Sequence, residues 1–301
     1  MKEIPLVSVI IPTYSRAKYL CTAIDSVLAQ TYPNIEIIVI DDNGKGTENQ
    51  LKTFEAVQEY LDNPNFYYLV HDVNKNGAVA RNTGIRHSKG EYICFLDDDD
   101  EYLPKKVEKQ VNIMENLEDK TWGGCYCNSY DYYSKKKYYI TPNTLSGNLC
   151  AELLLGKAFI GSCLIMIKRD ICIELNGFNE NFKRHQDWEF LVRFFRSYKL
   201  KLIPEALIKY NYYLDGGNRL KTDKLLEVEN MFLQTYRQDI INTGYGNDIF
   251  QKFLFDVAIS FLRNSEYKKG CQILYKSTKF KSLTINQIKF VSKAIIKSLI
   301  F

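Results

Sequence analysis

The sequence predicts an α/β fold: a mostly parallel sheet covered by helices, then a mixed sheet, then an all-helical C-terminal extension. Over the first hundred residues, short and almost wholly apolar runs alternate with segments of helical periodicity, as expected for a parallel sheet buried on both faces. Polar and acidic residues follow several of these runs, at the strand ends where such sheets bind ligands. Beyond about residue 220, only helical periodicity remains.

The predicted elements of the first part alternate regularly. Pro12 ends the first strand, and Asp41-Asp42-Asn43-Gly44 ends the second. The first helix carries apolar residues at helical spacing, and Thr47 is a candidate cap for the second. In chain order the predicted elements are strand 7–11, helix 18–30, strand 35–40, helix 47–61, strand 66–70, helix 78–87 and strand 92–96.

The rest of the chain is less regular and then purely helical. In chain order the middle elements are helix 104–116, strands 122–133, 135–140 and 162–168, helix 187–198, and strands 201–203 and 206–213. Four helices follow, over residues 225–241, 248–262, 266–276 and 284–300. We therefore predict a domain over residues 1–220, with halves 1–105 and 106–220, and a helical extension over 221–301.

Composition and charge narrow the class of protein. The 301 residues are 46% hydrophobic and 25% charged, which is ordinary for a globular protein. A net charge of +4 gives no reason to expect a nucleic-acid partner. The eight cysteines form no CxxC pair, which favours reduced thiols and a cytoplasmic protein. No signal peptide or membrane-spanning segment is predicted.

Four consecutive aspartates, Asp97 to Asp100, follow the apolar strand 92–96. Like charges so close together repel, and each raises the pKa of its neighbours. A divalent cation with oxygen ligands, bridging to a diphosphate, is the simplest stabilising partner. The alternative is a solvated acidic turn or a helix N-terminus before Pro104.

Five motifs follow one another in a single order. They read VSVIIPTYSR from Val7, AQTYPN from Ala29, EIIVIDD from Glu36, NG from Asn76 with ARNTGI from Ala80, and GEYICFLDDD from Gly90. Together they resemble the family 2 glycosyltransferases of the GT-A fold, of the type that builds bacterial surface polysaccharides. The resemblance is close over about the first 105 residues and thins out towards residue 215. It implies a Rossmann-like nucleotide-sugar half over 1–105 and an acceptor half over 106–220.

The resemblance assigns donor-binding roles to residues at the strand ends. Asp97, Asp98 and Asp99 match the family's DxD motif, with Asp99 as the ligand of Mn²⁺ or Mg²⁺ and Asp97 nearer the ribose or sugar. Asp42 matches the aspartate that binds uracil, although an Asx-turn is the alternative. The remaining donor-site positions are Pro12, Tyr14, Arg16 and Arg81. Arg16 could instead be a surface arginine, and Arg81 part of a helix ion pair.

A second site is predicted at the start of the helix 187–198. Asp187 matches the family's Glu-Asp pair, which supplies the general base, but Gln186 stands in place of the glutamate. A plain N-cap is the alternative role for Asp187. Trp188 and His185 are candidate acceptor contacts, and Trp188 could equally belong to the core.

The resemblance implies an inverting, metal-dependent transferase. It would move a hexose or N-acetylhexosamine from a UDP-sugar to a hydroxyl of a surface glycan, such as a capsule, or of a lipid-linked oligosaccharide. A non-catalytic nucleotide-sugar or glycan-binding module is the alternative from another class. The segment after the first strand lacks glycine, which disfavours a nucleotidyltransferase or a dinucleotide oxidoreductase.

The C-terminal segment is basic. From Arg263 to Phe301 there are nine Lys or Arg residues and one acid, Glu266. Apolar residues recur at near-helical spacing, with lysines on another side: Ile285, Ile288, Val291, Ile295, Ile296 and Leu299, then Lys289, Lys293 and Lys297. This stripe could lie on the inner face of an anionic membrane, or pack on the catalytic domain or on a second subunit of a homo-oligomer. The sequence leaves both readings open.

Overall fold

The computed structural model describes residues 4–133, 136–138, 142–212 and 222–300. Side chains at 133, 136–138, 212, 297, 299 and 300 are outside the description. Parts of the predicted strands 135–140 and 206–213 also lie outside the described residues. The chain forms two compact units, each considered separately below. The first unit is Met1–Leu149 with Ala158–Asp215, and the second is Cys150–Lys157 with Gly216–Phe301.

One mixed sheet forms the centre of the first unit. Its strands are β1 (Val7–Thr13), β2 (Ile35–Asp41), β3 (Phe66–Val70), β4 (Tyr92–Phe95), β5 (Glu101–Tyr102), β6 (Trp122–Tyr133), β7 (Lys136–Tyr138), β8 (Ile165–Lys168) and β9 (Lys199–Tyr212). Their spatial order is β3-β2-β1-β4-β8-β6-β9-β5, with β7 paired to β6. β1 to β4 pair in parallel, whereas β8 is antiparallel to both its neighbours. The predicted GT-A architecture is therefore confirmed.

Helices cover this sheet. They are α1 (Ala17–Leu28), α2 (Glu48–Val57), α3 (Gly77–His87), α4 (Lys106–Glu115), α6 (Arg169–Glu174) and α7 (Gln186–Phe194), while α5 (Cys150–Leu154) belongs to the second unit. The Thr47 hydroxyl caps α2 by accepting a hydrogen bond from Gln50 N at 3.2 Å, as predicted. α3 lies unusually close to β1, since a Cβ on Gly84 would stand 2.3 Å from Ile10 Cγ2.

The predicted strands over residues 201–213 differ from the observed one. Residues 201–213 were expected to form two short strands separated by Pro204, but β9 is continuous. Cys127 pairs with Ile203 and Asn128 with Ala206. A bulge therefore absorbs Pro204, whose missing N–H would otherwise interrupt the ladder.

The predicted strand 162–168 begins later than expected. Ser162–Leu164 forms a 3₁₀ turn, and β8 starts at Ile165. Leu164 N donates to Gly161 O at 3.1 Å, which closes the turn. Periodicity alone could not separate such a turn from the apolar strand that follows it. This turn brings Ser162 close to Asp187.

The second unit is helical in its later part. Besides α5 it contains α8 (Thr222–Thr235), α9 (Arg237–Asn242), α10 (Gly246–Arg263), α11 (Tyr267–Thr278) and α12 (Ile285–Ile300). The predicted helix 225–241 is interrupted at Tyr236, which is buried against Phe232. Within the described residues, no helix has both the length and the apolar composition needed to cross a bilayer.

Candidate active site

A cavity of about 310 Å³ opens at the carboxyl ends of β1, β2 and β4. Its lining brings together most of the residues predicted to bind the donor. The lining residues are Pro12, Thr13, Tyr14, Arg16, Asp42, Gly77, Ala80, Arg81, Asp97 and Asp98. They converge because parallel strands end at the same edge of the sheet. Asp99, His185, Asp187 and Trp188 are not part of this lining.

Asp98 is anchored at the floor of the site. Its Oδ2 accepts from Thr13 Oγ1 at 2.7 Å and from Tyr14 N at 3.4 Å, and Arg16 Nη1 lies 3.4 Å from Oδ1. Burial raises the pKa of Asp98 to about 7, against the opposing effects of Thr13 and Arg16. Asp98 therefore sets the geometry of the β1 end and carries only part of a negative charge near neutral pH.

Two arginines partly neutralise the acidic cluster. Arg16 Nη1 lies 2.5 Å from Asp99 Oδ2, and Arg81 Nη2 lies 2.7 Å from Asp97 Oδ1. Burial raises the pKa of Asp99, and the charge of Arg16 opposes that shift. The sequence-based expectation that something cationic faces these aspartates is thus met by side chains of the protein itself.

A candidate metal-binding group lies on the other side of the cluster. One ligand atom each from Asp97, Asp100 and Cys163 lies within 4.8 Å of the others. Burial raises the pKa of Asp100 and of Cys163, and a bound cation would oppose both shifts by favouring the deprotonated ligands. Carboxylate oxygens suit Mg²⁺ and Mn²⁺, and the donor set fits a divalent ion. Asp99, the predicted ligand, is paired with Arg16 instead of joining this group, and its role stays a prediction.

Arg81 connects the acidic cluster to the second predicted site. It is 9% exposed, donates to Asp97, and places Nη1 3.1 Å from Gln186 Oε1. Its guanidinium also lies over the Phe178 ring. Gly77 permits this arrangement, because a Cβ there would stand 3.1 Å from Arg81 Nη1. Among the described residues, Arg81 Nε has no hydrogen-bond partner.

Asp187 lies in the first turn of α7. The cap residue is His185, with a left-handed φ of 58°, so Asp187 is not the N-cap. Burial raises the pKa of Asp187, while the charge of Arg81 lowers it. Ser162 also lies close enough to this carboxylate to lower its pKa. A carboxylate with a raised pKa is a better proton acceptor than an ordinary aspartate.

His185 and Trp188, the predicted acceptor contacts, lie at the start of α7. Their rings stack on each other, with centroids 4.7 Å apart and an angle of 17° between the planes. Both residues are partly exposed. The pair therefore presents a flat aromatic surface, and whether it contacts an acceptor stays a prediction.

Asp42 has more partners than its sequence position suggested. Its Oδ1 accepts from Lys75 N at 2.9 Å and lies 2.6 Å from His71 Nδ1. Its Oδ2 accepts from Asn74 Nδ2 and Asn76 N, both at 2.9 Å. Sequence reasoning missed His71, although it directly follows β3 and thus lies at the same edge of the sheet as Asp42.

This sheet order, with an acidic cluster beside a nucleotide-sized cavity, defines a protein of the GT-A class. Similarity to known proteins identifies the family. The chain belongs to glycosyl transferase family 2, whose model matches residues 8–175. The predicted family is therefore confirmed.

Three relatives show how far this similarity extends. An uncharacterized glycosyltransferase of Rickettsia typhi is 32% identical over 98% of this chain and 91% of its own length. One of Rickettsia felis is 32% identical over 89% of this chain, which spans only 44% of that relative. The amylovoran biosynthesis glycosyltransferase AmsB of Erwinia amylovora is 29% identical over 75% of each chain.

Two solved structures share the fold. The S. aureus TarS 1-349 structure in complex with UDP-GlcNAc has a TM-score of 0.66 at 16% identity, covering 98% of this chain and 88% of TarS 1-349. The mannosyltransferase PcManGT of Pyrobaculum calidifontis, in complex with GDP-Man and Mn²⁺, has a TM-score of 0.59 at 17% identity. That match covers 99% of this chain and 87% of PcManGT.

Proposed function

We propose that this chain is an inverting, metal-dependent glycosyltransferase. It moves a hexose or N-acetylhexosamine from a UDP-sugar to a hydroxyl of a surface glycan or lipid-linked oligosaccharide. The observation that carries the proposal is the chain of contacts from Asp97 through Arg81 to Gln186, which stands beside Asp187. It links a cluster suited to a metal-bound diphosphate with a half-buried carboxylate suited to proton transfer.

On the donor side, the cavity supplies the contacts. Pro12 and Tyr14 flank the base and ribose, and Asp42 frames the base pocket. Arg81 reaches the diphosphate, for which its guanidinium suits bidentate contact. Asp97, Asp99 and Asp100 offer carboxylate oxygens to Mn²⁺ or Mg²⁺. When bound, such an ion neutralises charge that develops on the departing nucleoside diphosphate.

On the acceptor side, Asp187 takes the proton from the attacking hydroxyl. That oxygen forms a bond to the anomeric carbon on the face opposite the diphosphate. The bond from the anomeric carbon to the diphosphate oxygen breaks, and the nucleoside diphosphate leaves with the electron pair, so the configuration inverts. Ser162 lies beside the Asp187 carboxylate and favours its charged form. The stacked rings of His185 and Trp188 offer a platform for the acceptor sugar.

The relatives support the substrate class without deciding the sugar. AmsB is named for amylovoran biosynthesis, which favours a polysaccharide acceptor. TarS 1-349 was solved with UDP-GlcNAc and PcManGT with GDP-Man. The experiment must therefore offer both uridine and guanosine donors.

The test is a panel of UDP- and GDP-sugars with Mn²⁺, followed by donor hydrolysis and transfer, for the wild type and Asp187→Asn. We expect the variant to lose about a hundredfold or more in kcat, the usual range for a general base, while its donor Kd stays unchanged. Because the pKa of Asp187 is raised, wild-type kcat/KM should fall as the pH drops through that raised value. Asp170→Asn, an exposed acid at the start of α6, serves as the control.

Three results would count against the proposal. If donors bind but are never hydrolysed or transferred by the wild type with any acceptor tried, the chain is a nucleotide-sugar-binding module. If neither donor class binds in the presence of Mn²⁺, the assignment of the cavity is wrong. Equal turnover of Asp187→Asn and wild type would remove Asp187 from the role of base.

A further inference from the structure

Among its described side chains, helix α12 has a packed apolar face and, next to it, an exposed one. Val291, Ala294 and Ile295 face the second unit's core, in one cluster with Phe255 and Ile259 of α10. The sequence had assigned all the apolar residues of this segment to a single stripe. The structure divides that stripe, so core packing explains only part of it.

The second apolar face of α12 is open. Ile285, Ile288 and Ile296 are exposed to 73%, 52% and 56%. At about 100° per residue, the three positions fall within about 80° of the helix circumference. They therefore form one strip along the helix rather than scattered surface residues, which are normal and need no explanation. Lys289 and Lys293, both exposed, flank the strip along one side.

All the charged side chains in the segment that carries this strip are positive. Residues 267–300 contain eight lysines and no aspartate or glutamate. Lys269 pairs with Asp223, and Lys281 with Asp248, so acids of earlier helices neutralise part of the excess. Lys289 and Lys293 have no acid on their own helix. The exposed isoleucines thus lie in a basic surface.

The combination of apolar and basic side chains on this strip favours an anionic bilayer over a second copy of the chain. A second copy docked through the same face would bring its lysines against these lysines, which repel. An anionic bilayer accepts both features, because isoleucines enter the headgroup–acyl boundary and lysines remain near the lipid phosphates. We propose that the exposed face of α12, defined by Ile285, Ile288, Ile296, Lys289 and Lys293, docks the protein on an anionic membrane surface. This inference goes beyond sugar transfer and does not depend on it.

The test is co-sedimentation of the full chain with vesicles. Vesicles of phosphatidylcholine alone are compared with vesicles that also contain phosphatidylglycerol, at low and high NaCl. We expect binding only to the anionic vesicles, weakening with salt. Lys289→Glu/Lys293→Glu should weaken that binding by at least about tenfold, since each basic residue near such a surface contributes about fivefold and two are lost.

A second variant probes the apolar contribution. Ile288→Ser/Ile296→Ser should also weaken binding, because two apolar side chains no longer enter the boundary. Both positions are more than half exposed, so the fold should be retained, with unchanged circular dichroism and melting temperature. The matched control is Lys45→Glu/Lys120→Glu, the same charge change at exposed positions of the first unit; it should bind like the wild type.

Three outcomes would overturn the proposal. The first is that the wild type does not bind anionic vesicles. The second is that the α12 variants and the control variant partition equally. The third is a homodimer, detected by light scattering, that Ile288→Ser/Ile296→Ser dissociates while vesicle binding is absent. That result would assign the face to a second copy of the chain.

Discussion

The carboxylate of Asp42 faces four donors, two on each oxygen, and a carboxylate has about four lone-pair sites. Three of these donors come from the segment Asn74–Asn76, which leads into α3. Asp42 therefore fixes that segment and, through it, the start of the helix that carries Arg81. A uracil N–H would have to share or replace one of the four bonds.

At this residue we predict that Asp42→Asn acts mainly on stability. The NH₂ group of asparagine would replace one carboxylate oxygen and face the two donors that this oxygen now binds. Those two hydrogen bonds are lost, and a buried polar group is left unpaired. We expect a loss of about 2–3 kcal/mol in the free energy of unfolding, measured by urea denaturation. Asp62→Asn, an exposed acid, is the control. Unchanged stability with strongly weakened UDP binding would instead make Asp42 a direct reader of the base.

Gln186 is a second residue whose chemistry depends on its neighbours. It keeps a hydrogen bond with Arg81 but adds no charge. A glutamate there would interact with the positive charge of Arg81, as Asp97 and Asp187 do. Its own negative charge would raise the pKa of Asp187 further. The glutamine thus leaves Asp187 as the one ionisable group of the pair Gln186-Asp187.

At the scale of elements, the packing of α3 on β1 positions the donor site. Gly84 lets the helix approach so closely that a Cβ would meet Ile10 Cγ2 at 2.3 Å and Cγ1 at 2.9 Å. Arg81 lies one turn earlier on α3, and Thr13 and Tyr14 follow Ile10 along β1. A shift of α3 away from β1 would therefore change the distance between Arg81 and the acidic cluster.

We predict that Gly84→Ala destabilises the protein although alanine is the better helix former. The gain in helix propensity is about 1 kcal/mol, while overpacking against Ile10 costs about 1–3 kcal/mol. Ile10→Ala removes the clashing atoms, so the double variant should be more stable than the sum of the single changes predicts. Thermal and urea unfolding of the four proteins measure this coupling. Strict additivity would mean that α3 shifts freely and that the contact does not constrain it.

At the scale of the whole molecule, the site contains more acidic than basic side chains. Asp97 to Asp100 supply up to four negative charges against two positive ones from Arg16 and Arg81. A nucleoside diphosphate adds further negative charge. The field of the site should therefore resist the nucleotide unless a divalent cation enters as well.

We predict that UDP and Mn²⁺ stabilise the protein cooperatively. Each alone should raise the melting temperature little. Together at saturating concentrations, about a hundredfold above Kd, they should add about 2.7 kcal/mol of stability. Asp99→Ala should abolish the cooperativity, whereas Asp72→Ala, an exposed acid outside the cluster, should not. An equal shift by UDP in the presence of EDTA would show that binding needs no metal.

The sequence by itself was sufficient for the fold class, the family and the strand ends at which the site would form. This worked because apolar strands of a parallel sheet read as continuous runs, and their carboxyl ends share one edge. Pro12, Asp42 and Asp97 could be assigned to one cavity on that ground alone. The bulge at Pro204 could not be predicted, because it depends on pairing with β6, which is distant in the chain. The turn at Ser162 was missed because periodicity does not separate it from the apolar strand that follows.

Only the tertiary structure decided which groups face each other. The pairing of Arg16 with Asp99, the link of Arg81 to Gln186, and the His71–Asp42 contact join residues far apart in sequence. Likewise, the spacing of apolar residues in α12 predicted an apolar side of the helix. It did not predict which of those residues are buried. Side-chain partners and burial depend on how elements pack, and a linear pattern does not contain that information.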